Sequence, residues 1–346
     1  AIRMDQNTDE QLVSFNTQTR NSRFLLKDES LGKVQQIKVH PKDQYAAVAN
    51  NRNELWLIGL GQKRSKILIE QNPYVQAFQS LDWSPCGRYL AYQGATGHDK
   101  KGIYLYDTQT NKSQELVGPI LNDSEARFSL DGKYLFFLGT REFYPTMSEA
   151  HFDLSFPYAS RPYVVVLKKD EPSPFDKNLN FDDEKNDDDD ENDDKKKKKE
   201  VKTDIDWEGI EYRVLPFPVE MGGHVDIKVA QDKVFFLKCS PQPAADFSDM
   251  NTAHLSYYDF KSQKCENYQS CVDRFSCDST HKNMIYETDG DIRITSAENK
   301  PSDGEEYCKK DGKVDLNRIK VKVDPREEWK QMYREAWVLQ KEHFWT

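Results

Sequence analysis

Trp83-Ser84-Pro85-Cys86-Gly87-Arg88-Tyr89-Leu90-Ala91-Tyr92 reads as a short strand end, a tight polar turn and an aromatic-rich second strand. About 45 positions later the chain repeats it as Phe128-Ser129-Leu130-Asp131-Gly132-Lys133-Tyr134-Leu135-Phe136-Phe137. About 44 positions earlier stands Val39-His40-Pro41-Lys42-Asp43-Gln44-Tyr45-Ala46-Ala47-Val48, and a weaker copy runs from Phe275 to Tyr286. The turn glycines Gly87 and Gly132 supply the positive φ that a tight β-turn demands, and the flanking aromatic and β-branched residues suit a pleated surface. Self-similarity at this period signals a stacked-unit architecture.

Each phrase is followed by a third strand: Glu54-Leu55-Trp56-Leu57-Ile58, then Gly102-Ile103-Tyr104-Leu105-Tyr106-Asp107, then Tyr163-Val164-Val165-Val166-Leu167. A more polar fourth strand closes the unit, as in Lys112-Ser113-Gln114-Glu115-Leu116-Val117. Four antiparallel strands every 40–45 residues or so is the pattern of a propeller blade. The fold class expected is therefore all-β: an incomplete β-propeller of four-stranded antiparallel blades, followed by an amphipathic helix. Blades are expected near 33–74, 75–120, 124–218, 224–270 and 271–323, within a partial propeller over 1–323. Residues 1–32 supply the tail of an earlier blade, with strands over Gln11–Asn16 and Arg23–Lys27.

The third blade is interrupted twice, by Arg141–Pro162 and by Lys168–Lys202, before its outer strand resumes at Ile210–Val214. The second interruption holds the run Asp182–Glu200, whose eleven acidic residues and six lysines account for −5 of the net charge of −10. A stretch so poor in apolar residues cannot bury a core, so residues 170–202 are expected to be disordered. Lys195–Lys199 follows an acidic block able to neutralise it and reads as a solvated loop. After Asp324-Pro325 the period changes: Trp329, Met332, Tyr333, Ala336, Trp337, Gln340 and Phe344 recur at helical steps, with Pro325 in the first turn. Residues 324–346 are thus read as the first helix of a following helical domain, its aromatic face requiring a partner.

Composition narrows the function. Hydrophobic residues make up 37%, charged residues 31% and aromatic residues 12%, the last too many for a disordered chain. Outside the acidic run the chain is only mildly acidic and lacks a clustered basic surface, so nucleic acid is not an expected partner. No apolar run approaches the ~18 residues of a membrane span, and no signal-peptide pattern opens the chain. Cys86, Cys239, Cys265, Cys271, Cys277 and Cys308 form no CxxC pair, and no histidine stands at zinc-finger spacing. Free thiols are the expectation.

No nucleophile elbow, HExxH, Walker A loop or dinucleotide fingerprint is present. His40 and His281 fall in repeat turns and are read as structural; His224 precedes an inner strand and is read as a turn histidine, with a position facing a central channel as the alternative. His151, Asp153 and Ser155 lie two apart in one segment, whereas a catalytic triad draws its members from separate elements. A polar insertion is the reading. No catalytic, cofactor-binding or metal-ligating residue is assigned, and no cofactor is expected.

Three further stretches stand out: Leu138–Pro145 continuing through Phe152–Pro157 to Arg161-Pro162-Tyr163, then Ile205–Val214 ending in Pro216-Phe217-Pro218, and Val323–Trp337 running on to His343-Phe344-Trp345. Together they resemble the tricorn protease family. Their order resembles the family's second, seven-bladed propeller and the start of its helical domain. The resemblance implies a large cytoplasmic serine peptidase, assembled as a homo-oligomer, whose PDZ-like and peptidase domains lie elsewhere on the polypeptide. It places the catalytic histidine and serine C-terminal to His343-Phe344-Trp345, so this stretch is expected to be inactive by itself. Its part would be a channel for peptide substrates or products, and a scaffold. Two other readings fit blade physics: the gating propeller of a prolyl-oligopeptidase-like enzyme, and a non-enzymatic WD-like or TolB-like interaction module.

Overall fold

The computed structural model describes residues 2–4, 10–26, 31–42, 45–61, 65–73, 77–148, 153–155, 159–176, 201–230, 232–239, 253–298 and 312–344. The acidic-lysine run, His151, Cys308 and Trp345 lie outside them. Two compact units are present, one comprising residues 1–81 with 315–346 and the other residues 82–314.

In the first unit, β1 (Ile2–Met4), β2 (Glu10–Phe15) and β3 (Ser22–Phe24) form a three-stranded sheet. A four-stranded blade follows, of β4 (Val34–Val39), β5 (Tyr45–Asn50), β6 (Glu54–Gly59) and β7 (Lys66–Gln71). Leu12, Leu25, Leu26 and Leu31 pack against Ala46, Val48 and Ile58 between these sheets. Glu10 fastens them further by accepting the Val34 amide at 2.7 Å.

The second unit holds four blades. The first is β8 (Gln79–Trp83), of which Asp82 and Trp83 belong to this unit, with β9 (Tyr89–Ala95), β10 (Lys101–Asp107) and β11 (Lys112–Val117). The next pairs β12 (Asp123–Phe128) with β13 (Tyr134–Gly139) and sets aside a hairpin, β14 (Thr146–Ser148) and β15 (Asp153–Ser155). It is completed by β16 (Arg161–Val166) and β17 (Val214–Pro216). Then come β18 (Gly223–Ala230), β19 (Lys233–Cys239), β20 (Ala253–Asp259) and β21 (Lys264–Gln269). The last blade has β22 (Arg274–Cys277), β23 (Asn283–Thr288) and β24 (Asp291–Ser296). Its fourth position is held by Gly312–Val314, which exchange backbone bonds with Ile294 and Ile292 at 2.9 Å. The fold is thus an all-β propeller, with five blades rather than seven among the described residues, and one helix, α1 (Pro325–His343).

Blade strands are apolar at successive positions because both their faces are buried. On β13, Leu135 and Phe137 enter the core shared with the preceding blade, while Tyr134, Phe136 and Leu138 enter the core shared with the following one. On β16, Val165 sides with the first set and Val164 and Val166 with the second. One blade on, Val234 and Phe236 face backward and Phe235 and Leu237 face forward. Period-two alternation therefore sorts side chains between two cores rather than between core and water. Each fully buried side chain of this size contributes roughly 1.5–3 kcal/mol.

The repeated turn has one hydrogen-bond scheme. Ser84 and Ser129 each donate their amide to the carbonyl five residues on, at 2.8 and 2.9 Å, and their hydroxyls accept the amides of Tyr89 and Tyr134 at 3.0 and 2.9 Å. Gly87 and Gly132 take φ of 79° and 72°. In the last blade Asp278 replaces the serine, accepting the Asn283 amide at 3.2 Å, and His281 occupies the left-handed position at φ 56°.

Two expectations are corrected. Residues 170–202 are not disordered throughout: Phe175 packs between Phe217, Tyr258 and Phe260, and Tyr134 donates its hydroxyl to the Pro172 carbonyl at 3.0 Å. An apolar Pro174-Phe175 pair beside an aromatic core has burial available to offset its ordering entropy. Ile210–Arg213 is a 3-10 turn and not an outer strand, which starts only at Val214. Gly209 turns the chain in the left-handed region and buries Ile210 beside Ile205 and Trp207, while Arg213 donates to the Val166 carbonyl at 2.9 Å.

Helix α1 is capped by Asp324, which accepts the Arg326 amide at 3.0 Å, and Pro325 sits where its missing N–H costs nothing. Trp329, Met332, Tyr333 and Trp337 are exposed. Among the described residues no helix is long and apolar enough to cross a membrane.

Candidate functional site on the inner strands

The first strand of each blade in the second unit is its inner strand, and these stand side by side: β12 contacts β18, which contacts β22. The Phe128 amide of β12 reaches the Asp82 carboxylate of β8 at 3.0 Å. Two of these strands carry an extra residue. β12 shifts register between Ser124 and Arg127, with Glu125 at φ 53°, and β18 shifts between His224 and Asp226. A bulge re-aims side chains. Here Ala126, Phe128, Ile227 and Val229 stay in the inter-blade cores, while Glu125, Arg127, Asp226 and Lys228 gather in a separate cluster.

That cluster is ion-paired throughout. Arg127 Nη2 is 2.6 Å from Glu125 and 3.9 Å from Asp226; Lys228 Nζ is 3.9 Å from Glu125 and closer still to Asp226. The four side chains are 13 to 24% exposed. Burial raises the Asp226 carboxyl and lowers the Lys228 ammonium, in each case against the pull of the opposite charge beside it. Composition did not signal this site, but both strands read acid-x-base, and that shared spacing was a usable cue.

A second set of polar side chains lies where the β13–β16 connection leaves the blade. Arg141 clasps the fully buried Asp123 through two guanidinium nitrogens, and Arg161 holds Glu142 at 3.1 and 3.2 Å. Burial pushes the Asp123 carboxyl up to about 6 despite Arg141. His224 lies buried on β18, in a strand and not in a turn; its Nδ1 is 3.0 Å from the Ser160 carbonyl, and its ring meets Phe236 edge-on. Burial pushes its pKa down to about 4, so the ring is neutral at pH 7 and Nδ1 donates to that carbonyl. The Ser160 hydroxyl donates to the Gly222 carbonyl and accepts the His224 amide, both at 2.7 Å. A nucleophile needs its hydroxyl directed at a base. Ser160 and His224 are neighbours whose hydroxyl and Nδ1 are engaged with backbone, so the pair ties two blades together.

The other histidines are placed as follows. His40 is buried and accepts the Lys42 amide at 3.0 Å. His281 is 2.7 Å from the Val229 carbonyl and so links the last blade to its neighbour. Asp153 and Ser155 belong to β15, paired in register with Ser148 and Thr146. No disulfide joins Cys86, Cys239, Cys265, Cys271 and Cys277. Among the described residues no group of three or more His, Cys, Asp or Glu could hold a metal ion.

Comparison with known proteins agrees with this fold. A family profile described as "Tricorn protease second beta propeller domain" matches residues 1–298. A protein of Sulfurisphaera tokodaii, provisionally named a tricorn-like protease C-terminal subunit, is 32% identical over 331 residues, covering 93% of this chain and 36% of its own. A tricorn protease homolog of Saccharolobus solfataricus is 30% identical over 320 residues, covering 92% of this chain and 28% of its own. The chain therefore spans about a third of the length of these relatives. The crystal structure of the tricorn protease superposes with a TM-score of 0.80 at 21% identity, over 100% of this chain and 32% of that one, a likeness of fold. The profile match over residues 1–298 and these relatives place the chain in the tricorn protease family, as a second β-propeller domain.

Proposed function

We propose that this chain is the non-catalytic propeller of a tricorn-like serine protease, serving as a passage for peptides and as a scaffold for the domains that cut them. The observation that carries the reading is the contrast between the faces of the inner strands. Their core sides are apolar, whereas β12 and β18 keep a cluster of four charged side chains outside those cores. A propeller opening lined by such side chains is wet and can pass an extended chain. In the same reading the ring reaches seven blades, the exposed aromatic side chains of α1 pack on further helices, and PDZ-like and peptidase domains complete a cytoplasmic homo-oligomer.

The test is peptidase activity on a fluorogenic peptide panel, measured for this chain beside the complete gene product. The reading expects silence from the chain and turnover, blocked by serine-directed inhibitors, from the complete product. Turnover by the chain alone, or none by either, would defeat it.

A further inference from the structure

The inner strands β12 and β18 both read acid-x-base, Glu125-x-Arg127 and Asp226-x-Lys228, although about 100 residues separate them. Each cation contacts one carboxylate on its own strand and one on the neighbouring blade. Two acids and two bases sum to zero. Neighbouring inner-strand charges are also paired: Asp123 is held by Arg141, and Arg274 pairs with Glu287. These four side chains are largely withdrawn from water, so an excess charge among them would be poorly screened and would hold a peptide of opposite sign. A passage must bind its cargo weakly enough to release it.

We infer that the β12–β18 wall is neutral by construction and passes peptides without regard to their net charge, so that selection along this stretch rests on width. The inference deepens the passage reading above and rests on it. Glu125 and Lys228, 3.9 Å apart across the blade seam, are the residues whose balance sets this property.

Three variants test it: Glu125→Gln, Lys228→Gln and the two combined. Dye-labelled peptides of equal length, acidic, uncharged or basic, are titrated against the 346-residue chain by fluorescence polarisation at low salt. The wild type and the double variant are expected to bind all three alike. E125Q should favour the acidic peptide about fivefold and K228Q the basic one by a similar factor, and preferences of such sheltered charges should persist as moderate salt is added. Misfolding would shift all three peptides together, so it cannot mimic opposite preferences that cancel in the double variant. A wild type that already prefers one sign, or single variants that fail to split, overturns the inference. The same substitutions in the complete gene product should split kcat/KM for acidic and basic substrates in the same directions. Turnover with an unsplit ratio overturns neutrality. A complete product that cuts no peptide overturns the passage reading instead, while the polarisation result decides neutrality by itself.

Discussion

Phe175 stands edge-on to Phe217, their ring centroids 5.1 Å apart, although a strand, a 3-10 turn and the acidic-lysine run separate them along the chain. The contact puts the first residues of the long insertion into the aromatic core between two blades, with Tyr258 and Phe260 on its other sides. Replacing Phe175 by Ala is expected to lower stability by about 2 kcal/mol, less than a wholly buried phenylalanine because the ring is half-buried. Deleting Asp182–Lys199 should leave the melting temperature nearly unchanged, whereas a deletion beginning at Asp170 should lower it. Differential scanning fluorimetry of the three variants separates the anchor from the run that follows it.

Arg141→Ala leaves the buried Asp123 carboxylate without its clasp. A loss of about 3 kcal/mol at pH 7 is expected in urea unfolding. Burial already places the Asp123 pKa near 6, above its ordinary 3.8, so the folded state holds this proton more tightly than the unfolded state. Without Arg141 it rises further, and the variant should regain stability as pH falls from 7 towards 5. The double variant R141A/D123N should show no such recovery.

His224 has the opposite sign. Its folded pKa of about 4 lies below the ordinary 6.5, so the unfolded chain binds the proton more readily between those values. The stability linked to the neutral ring is complete above pH 6.5 and is lost as pH falls towards 4, by about 3 kcal/mol in all. Asp123 works the other way across part of this window, so the wild-type curve mixes the two. The difference between wild type and H224Q, measured by denaturant unfolding at each pH, isolates the histidine; equal slopes would refute the assignment.

Two glycines with similar φ should respond differently to alanine. At Gly132, φ 72°, an added Cβ would come within 2.5 Å of the Thr203 hydroxyl and 3.2 Å of the Lys202 carbonyl. At Gly290, φ 77°, it would meet nothing within 4 Å. G290A is expected to cost about 1 kcal/mol from left-handed backbone strain alone, and G132A distinctly more. Comparable losses in thermal unfolding would mean that the Thr203 segment yields freely.

The blade was legible in sequence because its signals are local. Trp83–Tyr92 and Phe128–Phe137 carry turn chemistry and strand period within ten residues, and the helix from Pro325 announces itself by a change of period. The Ile210–Arg213 turn was misread as a strand because β-propensity does not register the demand of a nearby core, here filled by Ile205, Trp207 and Ile210. Phe175 was misjudged for the same reason. Composition averages a segment, whereas burial acts on single side chains.

Sequence alone determined the four-stranded antiparallel blade as the repeating unit, its turn residues and the family resemblance. These depend on residues near one another in the chain. Tertiary structure decided which face of each strand meets which neighbour, that Ser160 and His224 tie two blades through backbone bonds, and that Glu125, Arg127, Asp226 and Lys228 form one balanced cluster. The physical reason is that electrostatic pairing depends on distance in space, and β12 and β18 become neighbours only when their blades stack.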